Sequence, residues 1–248
     1  MTPRVNDNKA ARRAMCFSAA ASFTATVLLL PLGISAVAQS GRDHRPELLP
    51  LALMPVVFGL QQALEGVVWL GLNHGPATPL LKGGALGYLF FALAFWPIWI
   101  PHVALCLWPR HRRQPERKLL WSLQGMGLIL GTLLWLPLLF QPTRFEPVVV
   151  QGSIDYGLKL LIGGGQSDLI RLIYAAVAGL PLLLLPYTWM RIFGVALLAS
   201  GLIAEWAYRE TFASVWCYFS ALLSVLIVWM IYTNRLHIKG HENASSST

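Results

Sequence analysis

Charge is scarce in this sequence. Asp, Glu, Lys and Arg make up 12% of its 248 residues, about half the share that a soluble domain needs to wet its surface. Cysteine is nearly absent too: Cys16, Cys106 and Cys217 are too few for a disulfide scaffold, and none forms a CxxC pair. There is no phosphate loop, no zinc-protease helix and no Ser-His-acid order. No lysine falls inside an apolar run, since Lys9, Lys82, Lys118, Lys159 and Lys239 all lie outside them, which excludes a Schiff-base photoreceptor. A nucleic-acid binder is excluded despite a pI near 9.8, because the basic residues punctuate apolar runs instead of coating a folded surface. No cofactor is named by any motif.

What is present is apolar sequence in long runs. Hydrophobic residues are 56% of the chain and mean hydropathy is +0.57. A spanning helix takes about 20 apolar residues, and seven such runs are expected: about 16–38, 48–72, 84–108, 119–140, 169–185, 192–208 and 212–232. The fold expected is an all-α integral membrane bundle of about seven helices over residues 15–234. Residues 1–14 form a polar, basic extension and 235–248 a polar tail. The first run also fits a secretory signal, with Ala36-Val37-Ala38 before Gln39 as its cleavage pattern, although it is longer than a usual signal core.

Residues 141–168 are the only long connection. Val148–Gln151 and Ile154–Leu160 predict two short strands around Gly152-Ser153, a small extracytoplasmic hairpin lying on the membrane between helices 4 and 5, with Gly163-Gly164-Gly165 as a hinge. Gly127 and Gly131 at GxxxG spacing predict close helix packing.

Orientation follows from the basic residues. Arg42, Arg45, Arg191, Arg235, Lys239 and five residues of the 109–118 loop fall on one side. The other side has fewer once the tail before Met15 is set aside. Cytoplasmic loops carry the excess of Lys and Arg, so the expectation is an inner-membrane protein with its N-terminus outside and C-terminus in the cytoplasm.

Ionisable residues inside spans mark function. Glu205 lies four residues before Arg209, so an ion pair explains it. His102, after Pro101, is expected to cap a carbonyl freed by the prolines. Glu65 is deeper, about seven residues in, with Gln61, Gln62 and Trp69 on or beside its helical face. Two readings stand for this cluster: interhelical hydrogen bonds that hold register, or a functional polar pocket. Ser18, Cys16, Trp216 and Cys217 fall at the same depth under the assigned topology, and Trp96 belongs to an aromatic stretch that suits a cavity wall. Cys16, Cys217 and Glu65 are weak candidates for a metal site, without the spacing that would support one. A Cys16–Cys217 disulfide and plain packing are the alternatives. The expected activity is binding or passage of a small ligand or ion, as a sensor, carrier or membrane-complex subunit. The alternative is an intramembrane enzyme acting on a lipid, metal-assisted or using Glu65 as acid or base. Membrane lipids are the expected surroundings.

Four segments together carry a resemblance: Met15–Phe23, Phe58–Gly66, Tyr88–Pro97 and Trp216–Ala221. They resemble a family of uncharacterised bacterial integral membrane proteins with MCFSA, QQxxEG, FWP and WCxF-type signatures. The resemblance implies Met15 as the natural start and brings no activity with it.

Overall fold

The computed structural model describes residues 18–73, 78–109, 114–159 and 166–236, except the side chains of Gln166 and Ser167. Cys16, the extension before Met15, the triple glycine, residues 110–113 of the basic 109–118 loop and the end of the tail lie outside the described residues.

Long apolar helices dominate. α1 (Ala19–Arg42) starts at Ser18, whose hydroxyl accepts from Ala21 N at 3.2 Å. A short 3-10 turn (Pro46–Leu48) leads into α2 (Leu49–Asn73). α3 (Pro79–Leu89), a π-helical turn (Phe90–Phe95) and α4 (Trp96–Leu107) form one continuous rod. α5 (Gln114–Phe140), α6 (Gln166–Leu184), α7 (Thr188–Ala207), α8 (Phe212–Leu223) and α9 (Val225–Tyr232) follow. Ser224 breaks the last run into α8 and α9, its hydroxyl turned back onto the Ala221 carbonyl. Among the described residues, six helices are long and apolar enough to cross a membrane: the α1, α2, α3–α4, α5, α7 and α8–α9 segments. α6 has 19 residues, carries Asp168 in its first turn and is not one of the six.

The exposed faces explain the composition. Val27 is 70% exposed, Ile129 63% and Leu202 73%, on helices that a water-soluble protein would have to cover. This belt and the six helices fit a membrane location.

Glycines set how closely the helices approach. A Cβ at Gly66 would meet the Phe23 ring at 2.7 Å, and one at Gly59 would meet Leu30 at 3.0 Å, so α1 and α2 form a tight antiparallel pair. A Cβ at Gly127 would sit 1.9 Å from the Pro97 carbonyl oxygen, and one at Gly131 2.9 Å from Ala94 Cα. The GxxxG pair is therefore the seat of the π turn and of the start of α4.

That turn has a local cause. In π register the N–H of residue 97 would bond to the carbonyl of residue 92. Proline has no N–H. The Tyr174 hydroxyl of α6 donates to the Ala92 oxygen at 2.5 Å instead. His102 plays no comparable part: it is exposed, 5.5 Å from the Trp99 ring, with Nε2 3.6 Å from Cys106 Sγ.

Between α5 and α6 stands a hairpin, β1 (Val148–Val150) and β2 (Ser153–Asp155), paired antiparallel with Val149 opposite Ile154. Gln151 and Gly152 both have positive φ, 49° and 76°, as a two-residue hairpin loop of this hand requires. The hairpin does not simply lie flat. Ser153 and Ile154 are fully buried and Tyr156 is 2% exposed, because β2 packs on α8 and plugs one end of the bundle.

Gly127→Val should lower thermal stability in detergent by the ~1–3 kcal/mol typical of overpacking. Gly125→Val, in the same helix with open space around its Cβ position, should be nearly silent. Equal melting temperatures for the two variants would disprove the packing assigned to Gly127.

Candidate functional site

α2 turns Gln61, Gln62, Glu65 and Trp69 inward, all at most 6% exposed. Ser214, on the first turn of α8, donates to Glu65 Oε1 at 2.5 Å. Trp96, at the start of α4, donates its indole N–H to Gln61 Oε1 at 2.7 Å. Its ring stacks on Phe58, one turn before Gln61, at 3.8 Å between centroids. Cys217, three residues after Ser214, lies beside Gln61 and the Tyr88 hydroxyl. Three rods thus meet at one level, each contributing a side chain that the others need.

The cluster leaves polar atoms over. Gln61 Nε2 and both amide atoms of Gln62 are buried without a hydrogen-bond partner among the described residues. Gln62 stands close enough to act on the Glu65 carboxyl, yet neither amide atom meets it at hydrogen-bond geometry. Each unpaired buried polar group costs about 1–3 kcal/mol, so native proteins rarely keep several in one place without water or a ligand to satisfy them.

The hairpin closes the site from one end. Tyr156 stacks on Tyr88 with ring centroids 4.8 Å apart and planes 6° from parallel. Tyr88 donates to the Ala213 carbonyl at 3.1 Å, while the Tyr156 hydroxyl is buried and has no hydrogen-bond partner among the described residues. Burial pushes that hydroxyl well above the ordinary tyrosine range, and the nearby Glu65 and Cys217 act in the same direction. A cavity of about 230 Å³ lies under the hairpin, lined by Tyr156, Tyr174, Phe212, Trp216 and Cys217, with Arg171 and Arg209 at its mouth. Glu65, Gln61 and Gln62 do not line it. They stand behind Tyr156 and Cys217.

Of the residues picked from sequence, Gln61, Gln62, Glu65, Trp96 and Cys217 come together. Trp216 is in the wall of the cavity, its indole N–H held by the Leu197 carbonyl at 3.0 Å. Trp69 is buried one turn beyond Glu65. Ser18 is spent on capping α1, and Cys16 lies outside the described residues. Among the described residues, no three His, Cys, Asp or Glu side chains are grouped as a metal would require. Glu205 pairs with Arg209 at 3.4 Å as its spacing suggests, and more closely with Arg171 of α6 at 2.7 Å.

Sequence reasoning missed Ser214, Tyr88, Tyr156 and Tyr174. Ser214 and Cys217 share a face of α8 at i, i+3, which was visible. Tyr156 was hidden by its place in a polar connection, where only the spacing Ile154, Tyr156, Leu158 hinted at burial.

Ser214→Ala should cost about 1–3 kcal/mol, since it strips the hydrogen bond of a buried carboxyl. Tyr156→Phe removes a hydroxyl that has no partner and should leave thermal stability unchanged or raise it. A large loss in Tyr156→Phe would show that its hydroxyl is bonded in the folded protein.

No curated protein and no solved structure matches the chain. A family model does: DUF6629, a family of unknown function, matches residues 15–242, so the chain belongs to that family.

Proposed function

We propose that the protein is a seven-span inner-membrane protein whose Glu65 cluster binds, or passes, a small polar ligand or ion. In this reading α6 is the seventh span, the hairpin end faces outward, and the C-terminus is cytoplasmic. The ligand is held by Glu65, Gln61 and Gln62, with Trp69, Trp96 and Trp216 as apolar walls.

The supporting observation is the set of unpaired amide atoms beside a buried carboxyl. Registry between helices would be served by one satisfied pair, worth roughly 0.6–2 kcal/mol in a bilayer, and Trp96–Gln61 already supplies one. Gln62 adds a donor and an acceptor that hold no helix. A ligand with complementary groups, or a hydrated ion, repays their desolvation. The roles open to such a site are those of a sensor, a carrier or a subunit whose assembly depends on the ligand.

Native mass spectrometry of gently extracted protein should show a bound species, and Glu65→Gln should release it while leaving the melting temperature nearly unchanged. If Glu65→Gln and Gln62→Leu both keep the same spectrum as wild type, the cluster is packing alone.

The topology has its own test. Reporter fusions after Lys118 and after Gly165 should report opposite sides of the membrane, the first cytoplasmic. A cytoplasmic signal at Gly165 would invert the orientation and close the proposed outer entrance.

A further inference from the structure

A second hollow adjoins the cavity from the side. It is a groove of about 560 Å³ between α6 and α7, on faces where Leu172 and Leu202 are 67% and 73% exposed. Cavity and groove share Arg171, Arg209, Phe212 and Trp216, so one wall of side chains separates the lipid-facing surface from the bundle interior.

The groove exists because its floor is small. Ala175, Ala176 and Gly201 line it, and a Cβ at Gly201 would lie 2.9 Å from the Trp216 indole. Any larger residue there would press on the shared wall. Phe212 and Trp216 pack against each other at 5.1 Å, and Arg171 lies over the Phe212 ring at 5.5 Å.

At the groove's upper edge the charges cancel. Arg171 donates to both Glu205 oxygens at 2.7 and 2.8 Å. Arg209 reaches Asp168 at 2.7 Å and Glu205 at 3.4 Å. An anionic headgroup would have to displace a carboxylate from an arginine and would also meet Asp155 and Glu210 of the cavity lining, and a cationic one would have to displace an arginine from a carboxylate. A head without charge breaks no pair. Beyond the wall, the unpartnered Tyr156 hydroxyl offers a donor and an acceptor, enough for one hydroxyl or carbonyl oxygen.

We propose that groove and cavity form one site for a neutral amphiphile, a lipid with an apolar chain and a small uncharged oxygen-bearing head. The chain occupies the groove between α6 and α7. The head passes the Phe212–Trp216 wall toward Tyr156, with the α2 cluster behind it. This inference rests on reading the Glu65 cluster as a ligand site, and it adds the class of ligand and a lateral way in.

The test uses full-length protein in phosphatidylcholine nanodiscs and two probes with the same diazirine-tipped acyl chain, a diacylglycerol and a phosphatidylglycerol. The diacylglycerol should label α6 and α7 around Ala176 and Leu198 about tenfold above the phosphatidylglycerol, the ratio that corresponds to 1.4 kcal/mol of preference. Gly201→Leu should remove the excess while the protein keeps a monodisperse elution peak and its helical circular dichroism. Where Gly201→Leu fails to fold, Ala176→Leu fills the groove from the lipid side and should do the same. Equal labelling by both probes, or an excess that survives a folded groove-filling variant, would mean ordinary annular lipid and overturn the proposal. Glu65→Gln separates the two readings. If it loses both the species seen by native mass spectrometry and the diacylglycerol excess, both stand. An excess that survives the loss of that species would mean that the amphiphile is not the ligand of the cluster and overturn the proposal. If wild type shows no excess yet Glu65→Gln still loses that species, only the lateral site falls.

Discussion

A carboxyl and two amides buried about two turns inside an apolar bundle gain nothing from hydrocarbon, so the bonds that they make come from within the protein. Much of the arrangement serves that constraint. α8 brings Ser214 to Glu65, and α4 brings Trp96 to Gln61. α1 comes close enough at Gly59 and Gly66 to cover the remaining side of α2. A lipid-facing Glu65 would be a cost of several kcal/mol even when neutral, so the polar face of α2 fixes which way that helix turns.

The second constraint is a chain of consequences from Pro97. Proline interrupts the hydrogen bonds of the α3–α4 rod, the backbone widens into π register, and the Ala92 carbonyl is left for the Tyr174 hydroxyl. Gly127 and Gly131 make room for the widened turn. Trp96 immediately precedes the proline, and its indole reaches Gln61. The bond that anchors the α2 cluster and the bond that ties α6 into the bundle therefore have one local origin, six residues of π helix.

The helices were legible because hydropathy and helix length are enough to mark them, and the observed ends fall within a few residues of the expected ones, five at most. The inward face of α2 was legible because three strong polar groups in five residues have nowhere else to go. Other features depended on contacts distant in sequence. Tyr156 is separated from Tyr88 by 68 positions, and nothing in a connection of mixed polarity shows that its ring will drop between helices. The pairing of Glu205 with Arg171 over Arg209 likewise required knowing that α6 and α7 are neighbours. His102 was misplaced for a related reason. Its spacing from Pro101 was clear, but a side chain's facing depends on the neighbouring helix, and at this position the helix presents an exposed side.

The unpaired atoms are what a cluster that only holds helices together does not require. A bundle optimised for packing alone would replace Gln62 by an apolar residue of similar size, since removing both amide atoms ends their desolvation cost at little loss of contact. The same holds for the Tyr156 hydroxyl, where phenylalanine would keep the stack on Tyr88. Gln61 differs, because its carbonyl oxygen already holds Trp96. Other buried polar atoms among the described residues also lack a partner, the Trp108 indole N–H and the Ser153 hydroxyl among them, but Gln62 and the Tyr156 hydroxyl are the ones beside Glu65 and the cavity. That placement is what the proposed ligand site would use.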